Sequence, residues 1–178
     1  EPDDASAMVW SEAEASAELE NSDKAIYKLD LIDKEVLLEE IEDLLAYDGI
    51  RKVKELWLDR NEFGNEGVEV LANSSQLEKI LVLSLAHNKL TNYSAQSIAV
   101  SPYLSQLQKL FLQGNQVGLE GLKALTESET LSNLKLLYLN LNPIGSAGAK
   151  ILAGDSKLQS LEELYLQKIG LGEKGLQA

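Results

Sequence analysis

Ser84, His87 and Asp59 carry the three side-chain types of a hydrolase triad: a hydroxyl nucleophile, an imidazole base and a carboxylate to orient it. Their spacing works against that chemistry. Three residues along a strand separate Cα atoms by about 10 Å and send alternate side chains to opposite faces, so Ser84 and His87 are poorly placed to share a hydrogen bond. His87 is the single histidine and the chain has no cysteine. Disulfides, thiolate metal sites, thiol nucleophiles and a histidine-built zinc centre are therefore removed together. No catalytic group, metal or cofactor is expected. A second motif, Gly170, Gly172 and Gly175, spells G-x-G-x-x-G after an expected strand, which is formally the dinucleotide fingerprint. Gly172 and Gly175, however, fall 27 residues after Gly145 and Gly148, which fall 27 after Gly118 and Gly121, and Gly64 and Gly67 head both columns. A motif that recurs along the chain reads as architecture: a tight turn into each helix, with close backbone packing.

The whole chain has 178 residues, 44% apolar and 25% charged, the composition of one globular domain. No stretch approaches the ~18 uninterrupted apolar residues of a membrane span. The net charge of −13 argues against nucleic acid, which needs a basic face. That charge is local: residues 1–48 hold 16 acids against 3 lysines, whereas residues 49–178 hold 13 acids and 13 bases. Within the acidic part, Glu35, Glu39, Glu40, Glu42 and Asp43 share a segment with Val36, Leu37, Ile41, Leu44 and Leu45, the spacing of an amphipathic helix. Its outer face is either solvated or a dock for a basic partner.

The period of 27 organises everything else. Asn61, Asn88, Asn115 and Asn142 are each 27 residues apart, and the segments before them, VKELWLDRN, ILVLSLAHN, LQKLFLQGN and LKLLYLNLN, fit L-x-x-L-x-L-x-x-N. Two flanking copies, IYKLDLIDK and LEELYLQKI, keep the leucines and lose the asparagine. Six strands are expected to start at Ile26, Val53, Ile80, Leu107, Leu134 and Leu161. The L-x-L leucines, such as Leu56 and Leu58, face a core. The asparagines form a ladder on the backbone where each strand turns away, broken at its ends by Lys34 and Ile169. The return segments carry apolar columns, Leu71, Ile98, Leu125 and Leu152, and Phe63, Leu90, Val117, Ile144 and Leu171, as helices packed behind the sheet do.

These motifs resemble the leucine-rich repeat, and N-x-I-G-x-x-G-x-x-x-L-A, clearest in NPIGSAGAKILA, resembles its ribonuclease-inhibitor-like subfamily. The phrase L-A-x-S-x-x-L-x-x-L, seen in LANSSQLEKI and IAVSPYLSQL, is similar to bacterial members. The resemblance implies a right-handed α/β solenoid, a parallel sheet lining a concave face with helices on the convex face, and a habit of binding proteins. It implies no catalytic residue; a GTPase-activating role belongs to one branch of the subfamily. The copy after Asn88 departs from the pattern, with Thr91 and Ser94 where the others have glycine, so its turn is expected to differ.

Between the buried leucines each strand displays one residue on the concave face: Asp30, Trp57, Ser84, Phe111, Tyr138 and Tyr165. Four of these are aromatic, out of ten aromatics in the chain. Cross-strand packing explains such a column, and so does a binding surface built from rigid amphipathic rings. Phe111, Tyr138 and Tyr165 are expected about 4.8 Å apart, with Trp57 about 10 Å from Phe111 across Ser84. A column two residues on (Ile32, Asp59, Ala86, Gln113, Asn140, Gln167) and the next (Asp33, Arg60, His87, Gly114, Leu141, Lys168) form a polar rim. The candidate ligand surface is thus Trp57, Phe111, Tyr138 and Tyr165 with Asp59, Arg60, His87, Gln113, Asn140 and Gln167. Another protein or an extended peptide suits it, and a carbohydrate is a smaller alternative.

The expected organisation is an acidic helical N-terminal cap over residues 1–23 and a solenoid of six repeats over residues 24–178. The sixth copy stops where its helix begins, so its open end is expected to continue or to meet a partner. The absence of cysteine favours the cytoplasm; a secreted or processed chain is the alternative.

Overall fold

The computed structural model describes residues 28–152, 154 and 156–170. The expected cap, residues 1–23, the strand start at Ile26 and the column member Leu171 lie outside them. Six short strands, β1 (Lys28–Asp30), β2 (Glu55–Trp57), β3 (Val82–Ser84), β4 (Lys109–Phe111), β5 (Leu136–Tyr138) and β6 (Glu163–Tyr165), form one sheet in sequence order. All pairings are parallel, and each strand pairs with residues one repeat on, as Leu56 does with Leu83 and Leu83 with Leu110. The repeat period is therefore also the register. Helices α1 (Leu38–Ala46), α2 (Gly64–Ala72), α3 (Asn92–Val100), α4 (Leu119–Thr126) and α5 (Ser146–Leu152) alternate with the strands. Such parallel crossovers are right-handed.

The strands begin two residues later than expected. Val53, Ile80, Leu107 and Leu134 are buried, but they close the turn entering each strand rather than joining the sheet. The NH of Ile80, for example, bonds back to the Leu77 carbonyl at 3.0 Å. Behind the sheet, Leu56, Leu58, Leu85, Leu110, Leu112, Leu137 and Leu139 have no exposed surface. They meet Phe63, Leu90, Val117 and Ile144 and the inner helix residues Leu71, Ile98 and Leu125 in one continuous core. Each such side chain contributes roughly 1.5–3 kcal/mol by leaving water. A repeat cannot bury its own leucines alone, so the stack is the folding unit.

The asparagine ladder satisfies the backbone that the strands leave behind. Asn115 Oδ1 accepts from Asn88 N at 2.9 Å and Leu90 N at 3.0 Å, while its Nδ2 donates to Leu85 O at 2.9 Å and Leu112 O at 3.0 Å. Each asparagine thus serves the coil before its own. The expectation of two broken ends is corrected by this direction: Lys34 and Val36 donate their NH groups to Asn61 Oδ1 at 3.1 and 3.0 Å, so the first coil needs no asparagine. The coil of Asn142 is followed by Ile169 in place of an asparagine, and there Gly145 N turns to the Ile169 carbonyl at 2.8 Å.

Two further ladders repeat at the same period. Ser101 Oγ donates to Ala72 O, and Ser128 Oγ to Ala99 O, so the serine three residues after Ile98 and after Leu125 ties its loop to the previous helix. At the helix starts, Asn65 Oδ1 accepts from Thr91 N at 3.0 Å and Ser94 Oγ at 2.6 Å, and Asn92 Oδ1 accepts from Gly118 N at 2.7 Å and Gly121 N at 3.0 Å. The copy after Asn88 does differ locally: Thr91 caps α3 by accepting from Tyr93 N at 3.4 Å. The two glycine columns divide the expected roles: Gly64 and Gly145 take the turn, with φ 62° and 75° and open space around them, whereas Gly67, Gly121 and Gly148 pack closely. At Gly148 an added Cβ would lie 2.1 Å from Ile144 Cγ2, so the apolar column seats directly on the helix backbone.

Candidate protein-binding face

The third residue of each strand faces the concave side, and the pairing aligns Trp57, Ser84, Phe111, Tyr138 and Tyr165 across the sheet. Tyr138 and Tyr165 stack with centroids 4.0 Å apart and planes within 7°, and Phe111 lies 5.0 Å from Tyr138 at 24°. Trp57 does not stand apart. Its ring is 5.4 Å from Phe111, although two strand spacings, about 9.6 Å, separate their backbones. The expected gap is closed because Ser84 is small enough for the rings on either side to lean together, leaving it wholly buried. Ser84 Oγ donates to Asp59 Oδ1, which also accepts Ala86 N at 3.0 Å.

The stripe is consequently continuous and half-buried, each ring covering the faces of its neighbours and turning its edge outward. Cross-strand packing is present, and it stiffens the surface that a ligand would meet. Residues at the first strand position pin the ends. Lys28 Nζ sits 4.7 Å above the Trp57 ring and 2.7 Å from Asp30 Oδ2. Partial desolvation pushes the Asp30 carboxyl up, but the Lys28 ammonium and the Ile32 NH outweigh it and hold it below the usual range. Trp57 Nε1 donates to Glu55 Oε2 at 3.3 Å, and Tyr165 Oη to Glu163 Oε2 at 2.8 Å. That carboxylate and the Tyr138 hydroxyl push the Tyr165 phenol up to about 12.

The neighbouring columns divide the other expected site residues. Asp59 is half-buried and its carboxylate is engaged by Ser84 and Ala86. Gln113 and Asn140, beside Phe111 and Tyr138, keep amide oxygens that are buried and have no partner among the described residues. Gln167 is exposed. The next column is a turn: Asp33, Arg60, His87, Leu141 and Lys168 have φ between 57° and 58°, and Gly114 has φ 70°. This left-handed residue takes each coil off the sheet. Arg60 and His87 therefore lie at the margin where the chain departs, both exposed. The His87 ring lies against Gly114, where an added Cβ would come 2.2 Å from Nδ1. Ser84 hydrogen-bonds the Asp59 carboxylate rather than the imidazole, so the triad letters do not assemble into a triad.

Asn65 and Asn92 were missed as structural residues although their own 27-residue spacing marks them, and Lys28 over Trp57 was missed because its column is mixed in type. Among the described residues no His, Asp and Glu cluster could hold a metal ion, and no helix is long and apolar enough to cross a membrane.

The short parallel strands, the alternating helices and the asparagine ladder define an α/β leucine-rich-repeat solenoid. A family model described as Leucine Rich repeat matches residues 49–72, 104–125 and 130–153. Among solved structures the chain is similar to leiomodin-1 actin-binding site 2, at 18% identity and a TM-score of 0.52, over 74% of this chain and 80% of that one. No curated protein matches the chain.

Proposed function

We propose that this chain is a non-catalytic recognition module that takes an extended peptide or protein loop along the concave stripe of Trp57, Phe111, Tyr138 and Tyr165. The observation that carries the reading is the ring geometry. Aromatic edges and hydroxyl tips, already rigid in the free protein, meet a partner with little further loss of side-chain freedom. The unpartnered oxygens of Gln113 and Asn140 beside the rings add acceptors for a partner's NH groups after small amide rotations. The same geometry disfavours a carbohydrate, which stacks on open ring faces; the faces between Trp57, Phe111, Tyr138 and Tyr165 are occupied by neighbouring rings. Leiomodin-1 is a protein binder of the same fold, which is consistent with this use of the scaffold. Regulation of an enzyme such as a GTPase rests on the ribonuclease-inhibitor-like resemblance alone.

Selection of peptides from a random display library on the immobilised chain tests the proposal. Enriched peptides are expected to lose roughly tenfold or more in affinity for a Tyr138→Ala, Tyr165→Ala variant. They are expected to bind Val100→Ala, altered on the exposed convex side, like wild type. Peptides indifferent to the rings would move the binding site off the concave face.

A further inference from the structure

A second surface lies on the opposite side of the molecule, where α1 and α2 leave a groove of about 660 Å³ between them. Its apolar walls come from Leu38 and Leu45 on one side and Val70 on the other, and its rim from Glu42, Glu66 and Glu69. The spacing on each helix explains this. Leu38, Glu42 and Leu45 share one face of α1, as Glu66, Glu69 and Val70 share one face of α2. Each helix has nine residues, so the groove runs about 13 Å, or somewhat over two helical turns.

The charge around this groove is one-sided. Helices α1 and α2 carry Glu39, Glu40, Glu42, Asp43, Glu66 and Glu69 and no lysine or arginine, whereas α3 is uncharged and α4 pairs Glu120 with Lys123 in composition. None of the three rim carboxylates takes part in a salt bridge among the described residues. Glu69 is held in place by the Tyr93 hydroxyl, which donates to its Oε2 at 2.6 Å. Like charges facing each other across an apolar trough are unfavourable until a cation lies between them.

We infer that the α1–α2 groove docks a basic amphipathic helix of a partner protein, its apolar side chains seated between Leu38, Leu45 and Val70 and its lysines or arginines against Glu42, Glu66 and Glu69. The site is independent of the ring stripe, and either can fail without the other. An apolar trough without charge would accept many helices; the acidic rim selects the basic ones and steers them in. A second copy of this chain is a poor occupant, because its described α-helices are acidic or neutral apart from α5, which offers a single cation, Lys150.

The probe is a fluorescein-labelled synthetic helix of about 14 residues, with leucines at i, i+3, i+4 and i+7 and lysines elsewhere, titrated into the full chain by anisotropy. Saturable one-to-one binding is expected, weakening at least about tenfold between about 50 and about 300 mM salt. A Glu42→Gln, Glu66→Gln, Glu69→Gln variant is expected to lose about tenfold or more in affinity with an unchanged melting temperature. Val70→Ser is expected to weaken binding at every salt concentration. A Glu39→Gln, Asp43→Asn variant, altered beside the groove, is expected to stay within about twofold of wild type. Absence of saturable binding overturns the proposal, as does equal loss in the two charge variants, which would reduce the effect to general attraction. A chain that sediments as a dimer and becomes monomeric with Val70→Asp would assign the groove to a second copy and also overturn it.

Discussion

Replacing Asn115 with alanine removes one rung of the ladder at the centre of the solenoid. The side chain is 5% exposed and makes four hydrogen bonds to main-chain groups, namely the NH groups of Asn88 and Leu90 and the carbonyls of Leu85 and Leu112. Alanine leaves all four without that partner in a closed space. The Leu112 carbonyl keeps its second donor, Asn142 Nδ2 at 2.8 Å, so three groups are orphaned, and at about 1 kcal/mol for each, the low end of the range, the loss is about 3 kcal/mol. That is a large share of the ~5–15 kcal/mol total stability of a domain. Urea unfolding followed by far-ultraviolet circular dichroism measures it, with Asn133→Ala as the control. Asn133 is exposed and donates once, to Ser105 O at 2.8 Å, so the control is expected to lose under about 0.5 kcal/mol. Asn115→Asp distinguishes volume from hydrogen bonding. It keeps the acceptor and loses the two donors, and it is expected to be as damaging as alanine at neutral pH because it also buries a charge. If Asn115→Ala costs less than about 1 kcal/mol, the ladder does not hold the turns and the leucine core alone maintains the coils.

Tyr138→Ala breaks two ring contacts at once and is expected to cost about 1–3 kcal/mol of stability in the same assay, more than removal of an isolated exposed ring. Tyr165 is expected to ionise near pH 12 in an ultraviolet absorbance titration, and Glu163→Gln to lower that midpoint. Because the folded phenol holds its proton above the ordinary tyrosine value, this group's contribution to stability is constant below about pH 10 and falls as pH rises from there to about 12. Leu141 is exposed and left-handed, so Leu141→Gly removes roughly 1–2 kcal/mol of backbone strain against roughly 0.5–1 kcal/mol of chain entropy, and a small rise in melting temperature is expected.

The periodic features were legible because a solenoid writes its geometry into one repeat length. The Asn61 to Asn142 spacing gives the sheet register, and the Phe63, Leu90, Val117 and Ile144 column gives the seam between sheet and helices. The four rings were placed on the concave side by alternation alone. Their contact over Ser84 was not, since spacing describes backbones while rotamers decide whether two rings lean across a small neighbour. The Asp59 to Ser84 bond was hidden for a related reason: both are polar residues on adjacent coils, and it is the burial of Ser84 between the leaning rings that leaves its hydroxyl the carboxylate as partner. The left-handed column escaped notice because Asp33, Arg60, His87, Leu141 and Lys168 share no residue type, and only Gly114 carries the usual sign of positive φ. The direction of the asparagine ladder follows from which coil each amide reaches, which spacing alone does not state.

The proposed meeting place of this chain with a protein partner is the concave ring stripe. Parallel capture from native extract with wild type, with Tyr138→Ala, Tyr165→Ala, and with Glu42→Gln, Glu66→Gln, Glu69→Gln, compared by quantitative mass spectrometry, tests it most directly. A set of proteins is expected to be enriched by wild type and by the groove variant but reduced roughly tenfold or more on the ring variant. Equal enrichment on all three, with every variant folded by circular dichroism, would contradict it.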